Sequence, residues 1–156
     1  MRKAAAVLVS MVLGIATMLG VVTILGPAAQ ASSSPVVIRE IFYNSPGKDT
    51  GTNNSLNAEW VQLLNRTGHR ITLTRWTLRD RAGHVYRFGT YRLKAHGSVK
   101  IHTGKGANTQ ANRYWGRRAY IWNNNGDRAT LKNASGIVKY QCSYSDPREV
   151  RAFKIC

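Results

Sequence analysis

The chain is poor in acid. Seven Asp and Glu stand against 23 Lys and Arg, for a formal net charge of +16. So few carboxylates leave little material for the roughly six to eight oxygens of a calcium site or for the paired acids of a glycosidase. Cysteine is scarcer still, with only Cys142 and Cys156. Neither belongs to a C-x-x-C pair or has a histidine close by, which argues against a metal or catalytic role. In an oxidising compartment such an isolated pair forms a disulfide, here closing a loop of about 15 residues worth on the order of 3 kcal/mol by loop-closure entropy. There is no G-x-S-x-G to carry an acyl-transfer nucleophile. His69, His84, His96 and His102 are scattered, with no H-x-H or H-E-x-x-H to hold zinc. His69 and His96 sit next to glycines and read as exposed turn residues. Beyond residue 31 no long apolar run offers a second membrane span. No stretch there keeps a 3.6-residue period over three turns, which excludes a helical bundle. No fixed repeat is present, which excludes solenoids and propellers.

The N-terminus holds what the rest lacks. Arg2 and Lys3 precede an apolar run from Ala4 to Leu25, then Gly26-Pro27 and the small-residue site Ala29-Gln30-Ala31. That order predicts a secretory signal peptide, residues 1–31, cleaved after Ala31, and therefore a secreted, extracellular protein. The alternative is an uncleaved N-terminal membrane anchor, since the run is long enough to span a bilayer. Subtracting Arg2 and Lys3 takes the net charge from +16 to +14. An excess of that size speaks to partners and solubility rather than to fold. Outside a cell the acidic partners on offer are wall polymers, anionic lipid head groups and released nucleic acid.

After a short lead-in at 32–35 the pattern is that of short strands. "VVIREIFYN" (36–44) alternates with period two and is rich in β-branched and aromatic residues. Residues 45–58 are dense in Ser, Pro, Gly, Asp and Asn and read as a loop. "EWVQLLN" (59–65) reads as a second strand. Residues 70–80 suggest two short strands with a kink near Thr74, and "HVYRFG" another. "SVKIH" follows a turn at Ala95–Gly97, and 105–118 reads as a long surface loop. "AYIW" (119–122), "RATLKN" (128–133) and "IVKYQCSY" (137–144) complete the set, and 145–156 reads as a short tail tied back by Cys156. Eight or nine short strands with closely spaced turn signals argue for an antiparallel sandwich or barrel.

The cluster Asn124-Asn125-Gly126-Asp127 lies between "AYIW" and "RATLKN". It reads as a hairpin turn in which Asn and Gly accept positive φ and Asp127 caps exposed amides. Trp122, Ala129 and Leu131 then face the core. Glu40, Glu59 and Asp80 fall on or at the ends of strands, and turn chemistry accounts for Asp80 and Asp127 better than catalysis does. Asp49, Asn53, Asn54, Asn57 and Glu59 raise calcium binding in the 44–59 region, but their spacing does not match an EF-hand loop, and loop polarity is the better account. N-x-S/T occurs at Asn53, Asn65 and Asn133, three short matches in an Asn-rich chain.

Four stretches in order resemble one family. "IREIFYNSPGKD", "NAEWVQLLNRTG", "ITLTRWTLRDRAGHVYRF" and "IWNNNGDRATLKNASGIV" are similar to successive motifs of the lamin-tail domain, over residues 35 to 144. One departure is the alanine between Asn57 and Glu59, where the family runs asparagine directly into glutamate. The resemblance implies an all-β, immunoglobulin-like antiparallel sandwich over residues 36–144. In animals such domains form the tails of nuclear intermediate-filament proteins and serve as interaction surfaces. Bacterial members similar to this chain are secreted or surface proteins, sometimes fused to nucleases. The cysteine pair and the basic excess are not part of the family pattern.

The strongest signal outside the fold is the charge of the 105–118 loop. Lys105, Arg113, Arg117 and Arg118 interleave there with Tyr114 and Trp115, a composition that suits anionic polymers through guanidinium–phosphate pairing and ring stacking. Trp115 taken alone reads better as a cap on the core. Arg66, Arg70, Arg75, Arg79, Arg81, Arg87 and Arg92 spread over strands and turns. The expected function is therefore non-enzymatic binding of an acidic polymer, nucleic acid or an anionic wall polymer, with no metal, cofactor or small-molecule substrate. The alternatives are a protein–protein adaptor or structural surface protein and, less favoured, a small secreted nuclease or other hydrolase.

Overall fold

β1 (Val36–Phe42) opens the domain where the alternation places a strand. The structure is a computed structural model in which residues 34–45 and 47–156 are described. The signal peptide, its cleavage after Ala31 and the anchor alternative lie outside the described residues. α1 (Asn53–Ala58), β2 (Trp60–Asn65), β3 (Ile71–Thr72), β4 (Thr77–Arg79), β5 (Val85–Arg87), β6 (Arg92–Leu93) and β7 (Ser98–His102) follow. β8 (Asn112–Tyr114), β9 (Gly126–Lys132), β10 (Val138–Ser145) and β11 (Phe153–Ile155) complete the order. One sheet runs β11-β1-β2-β7-β8, a second runs β10-β9-β4-β5, and β3-β6 form a small ribbon. Pairing is antiparallel except between β7 and β8, which run parallel.

The inner faces of the two larger sheets share one core. Val36, Ile38, Ile41, Val61, Leu63, Val99 and Ile101 come from the first, and Leu78, Ala129, Leu131 and Cys142 from the second. Trp122 fills the space between them at 1% exposure, in line with its expected inward position together with Ala129 and Leu131. Each buried Val, Leu or Ile among these contributes about 1.5–3 kcal/mol on leaving water. The kink expected near Thr74 is present: Trp76 N donates to Leu73 O at 2.8 Å, and Arg75 adopts φ 65.

Five local readings of the sequence need correction. The 105–118 stretch is not all loop, because Asn112–Tyr114 form β8 in parallel pairing with β7. Residues 45–58 are not all loop, because α1 forms with the Thr52 hydroxyl accepting from Ser55 N and with Leu56 buried; a helix of one and a half turns has too little periodicity to register. "AYIW" is not a strand, because the backbone N–H groups of Ile121 and Trp122 bond to the Glu59 carboxylate rather than to a neighbouring strand. Asn124-Asn125-Gly126-Asp127 is thus not a hairpin turn between two strands. It is a β-turn closed by Gly126 N to Asn123 O at 3.2 Å that feeds β9. Only Gly126, at φ 149, uses the positive-φ region there, and a Cβ on it would sit 3.1 Å from Tyr144 O. Finally, the tail contains β11, which pairs with β1 through Phe42↔Phe153 and Glu40↔Ile155.

The Cys142–Cys156 disulfide is formed, with a Cα–Cα distance of 5.8 Å. It joins β10 of one sheet to the end of β11 in the other and so staples the two layers. The outer face of the first sheet carries an aromatic row, with Phe153, Phe42 and Trp60 on adjacent strands and stacked centroids 6.1 Å and 5.3 Å apart. Lys100 Nζ lies 3.6 Å over the Trp60 ring. Such cross-strand pairs stabilise a sheet by a few tenths to about 1 kcal/mol each.

Candidate anion-binding surfaces

Four of the seven acids are spent inside the fold. Glu59 is fully buried and accepts from Thr103 Oγ1 at 2.5 Å, Ile121 N at 2.9 Å and Trp122 N at 3.2 Å. Burial pushes its carboxyl up to about 7, against the opposing pull of those three donors. Asp80 accepts from Gly83 N at 2.7 Å and His84 N at 2.6 Å, and its other oxygen meets His84 Nδ1 at 2.6 Å. Asp127 binds Arg81 N at 2.9 Å, Arg128 N at 2.7 Å and Asn123 N at 3.2 Å, and so ties the β4–β5 turn to the start of β9. Asp146 accepts from Tyr43 Oη at 3.1 Å and Arg151 N at 2.8 Å; burial, and next that bond, push the Tyr43 phenol up to about 12. Buried carboxylates held by backbone N–H groups are structural staples.

The described Lys and Arg side chains are left without acidic partners as a result. Among the described residues no Lys or Arg makes an ion pair, and the sole such contact is His84–Asp80. Glu40, Asp49 and Glu149 are the acids not committed to buried staples.

The structure divides the residues picked from the 105–118 loop. Lys105 is anchored through its backbone: its carbonyl accepts from Asn53 Nδ2 at 3.0 Å and Asn57 Nδ2 at 2.9 Å, and its N–H donates to Asn53 Oδ1 at 2.8 Å. That fixes the loop against α1. Lys105, Arg117 and Arg118 then line one depression of ≈ 310 Å³ together with Gly51, Asn53 and Leu56. Arg113 points the other way, its guanidinium 4.3 Å over the Tyr91 ring, and its Nε is buried without a hydrogen-bond partner. Tyr114 stacks on His102 at 5.1 Å and is pressed by Gly106, so its ring is occupied. Trp115 meets Tyr86 at 5.8 Å and Trp122 at 6.1 Å edge-on, as a cap on the core.

The remaining candidates are accounted for locally. Both His102 ring nitrogens are engaged, Nδ1 with Asn57 O at 2.7 Å and Nε2 with Asn112 Oδ1 at 3.0 Å. His69 and His96 are exposed turn residues. Asn53 and Asn57 turn to Lys105, Asn124 Nδ2 reaches Asp49 Oδ2 at 3.4 Å, and Glu59 is buried. Among the described residues no three His, Cys, Asp or Glu side chains converge as a metal set. Asn65 is fully buried, with its amide donating to His69 O and Lys94 O.

One group was missed in the sequence. Arg79, Arg81, Arg128 and Lys132 surround a depression of ≈ 220 Å³ on the outer face of the β10-β9-β4-β5 sheet. The available signal was the period-two run Arg128-x-Thr130-x-Lys132. What the sequence does not reveal is that β4, some fifty residues earlier, lies alongside it.

A family model described as Lamin Tail Domain matches residues 29–146, well over half of the chain. No curated protein matches it. The match ends at Asp146, so β11 and Cys156 lie beyond it. The family is one of immunoglobulin-like interaction domains rather than of enzymes, and its sandwich is the one observed. The chain belongs to the lamin tail domain family.

Proposed function

We propose that this domain is a non-catalytic binding module that works outside the cell and holds an acidic polymer on its basic surface. The observation that carries this reading is the absence of any Lys or Arg ion pair among the described residues. Because the buried acids are committed to backbone amides, the surface charge is uncompensated, and a polyanion gains by releasing its condensed counterions when it meets that surface. The depression that gathers Lys105, Arg117 and Arg118 is one place where several phosphates or carboxylates fit at once. The Cys142–Cys156 bridge supports an oxidising, extracellular setting.

The test is retention of the full chain on an immobilised polyanion at low salt, with and without the triple change Lys105→Glu, Arg117→Glu and Arg118→Glu. Retention that falls at least about tenfold supports the reading, since reversing three cations removes and inverts their contribution. Failure of the unaltered protein to bind at low salt, or capture of one protein partner that survives high salt, rejects it in favour of an adaptor role.

A further inference from the structure

We infer that the outer face of the β10-β9-β4-β5 sheet is a second anion site, separate from the 105–118 loop, that takes the phosphates of a non-aromatic polyanion such as a polyol-phosphate chain. This rests on the polymer-binding reading and assigns to it a site and a ligand class.

The site is built by register. Arg128, Thr130 and Lys132 share the outward face of β9 because strand side chains alternate. Arg79 of β4 stands beside Thr130 on one flank, and Gln141 of β10 beside it on the other. The backbone of Arg79 is therefore level with the midpoint between Arg128 and Lys132, and its guanidinium lies over Gly83 at the turn end of the depression. The backbone positions of Arg128, Arg79 and Lys132 step by two residues, roughly 6.6 Å along the strand. All three line the one depression with Arg81, so several phosphates of a flexible chain are within reach of cations at once. Arg81 closes the end of the depression where the β4–β5 turn begins.

Hydrogen-bond donors line the floor. Gln141 Nε2 donates to Thr130 Oγ1 at 3.1 Å. This leaves the second Gln141 amide proton and the Thr130 hydroxyl proton for ligand oxygens. The one acid in the wall, Asp80, has a side chain with no exposure, and both its oxygens are held by the turn. It does not answer the cations.

The ligand class follows from what the face lacks. By the same alternation, Tyr140 and Tyr144 of β10 and Tyr86 of β5 turn inward and pack against the core. No ring is left on the outward side to stack a base, which is the feature that single-stranded nucleic-acid sites rely on. No helix or ribbon rises from the face to enter a duplex groove. Recognition here is by charge and hydrogen bonding alone, which favours phosphates on an aliphatic backbone.

The test compares poly(glycerol phosphate) with a single-stranded oligonucleotide of equal phosphate number, using titration calorimetry on the full chain. Arg128→Gln/Lys132→Gln is set beside Arg117→Gln/Arg118→Gln. Among the described residues the side chains of Arg128 and Lys132 make no hydrogen bond or ion pair, so the melting temperature is expected to hold. The expected result is a loss of at least about tenfold in affinity for poly(glycerol phosphate) in the sheet variant, with a salt slope shallower by about 1.4 for two charges removed. If the sheet variant binds like the unaltered chain while the loop variant fails, this site is overturned and the broader reading stands. If the oligonucleotide binds more tightly than poly(glycerol phosphate) and is lost in the sheet variant, the ligand class is wrong. If neither probe binds the unaltered chain, both readings fall.

Discussion

Replacing Glu59 with glutamine sets two opposing effects against each other. The carboxyl accepts three hydrogen bonds, which favours its charged form, yet it is fully buried, which favours the neutral one. Burial wins, since the folded value is pushed up from 4.5 to about 7. A raised folded value contributes stability that is fully present below pH 4.5 and is lost as pH rises through about 7. At 1.36 kcal/mol per pH unit that loss is about 3 kcal/mol. Glutamine keeps the acceptor for Thr103 and Ile121 but turns an NH₂ toward Trp122 N, orphaning one buried amide at about 1–3 kcal/mol. The unaltered protein is therefore expected to be more stable than Glu59→Gln by about 2 kcal/mol near pH 4.5, with the difference vanishing or reversing by pH 8. Glu59→Ala, which orphans both amides and leaves a cavity, is expected to cost about 4 kcal/mol near pH 4.5. Urea titrations followed by tryptophan fluorescence measure this directly, because Trp122 sits on the carboxylate. A difference between the unaltered protein and Glu59→Gln that grows with pH would show the three donors outweighing burial, and would refute the reasoning.

Two further outcomes follow from the other staples. Cys142→Ser/Cys156→Ser removes a bridge of sequence separation 14, for an expected cost of about 3 kcal/mol, and amide exchange should quicken first in β11, whose pairing with β1 is short. Equal acceleration across all strands would contradict that. Asp127→Ala strips partners from the N–H groups of Arg81, Arg128 and Asn123. An expected cost of about 3 kcal/mol for these buried or half-buried amides can be read from the urea midpoint; a change within 0.5 kcal/mol, the typical range for a surface site, would count against the staple role.

Much of the fold was legible because its strands announce themselves. β2 and β7 alternate cleanly, and the aliphatic positions Val36, Ile38, Ile41, Val61 and Leu63 are those that the sandwich buries, while Phe42 and Trp60 stack on the outer face. α1 is too short to show a period, and the other main errors depend on partners distant in sequence. "AYIW" has strand composition because Ile121 and Trp122 plug the core, but its amides are claimed by Glu59, some sixty residues earlier. β11 is three residues long and gains its place through the disulfide and the edge of β1. In the candidate sites, Lys105, Arg117 and Arg118 of the loop line one depression. The composition gave no sign that Arg113 and Tyr114 are drawn inward by Tyr91 and His102, whereas the reading of Trp115 alone as a cap on the core matches its packing against Trp122. The sheet-face cations were hidden for the same reason, since Arg79 meets Thr130 only after β4 and β9 pair.

The central claim is that uncompensated cations on this surface bind an acidic polymer. Its most direct test is the affinity of the full chain for a defined polyanion as salt is raised from about 50 to about 200 mM. With four cations engaged, affinity is expected to fall about 50-fold over that fourfold rise, linearly in log K against log salt. An affinity that stays flat across the range, or no binding at the low end, would contradict the claim.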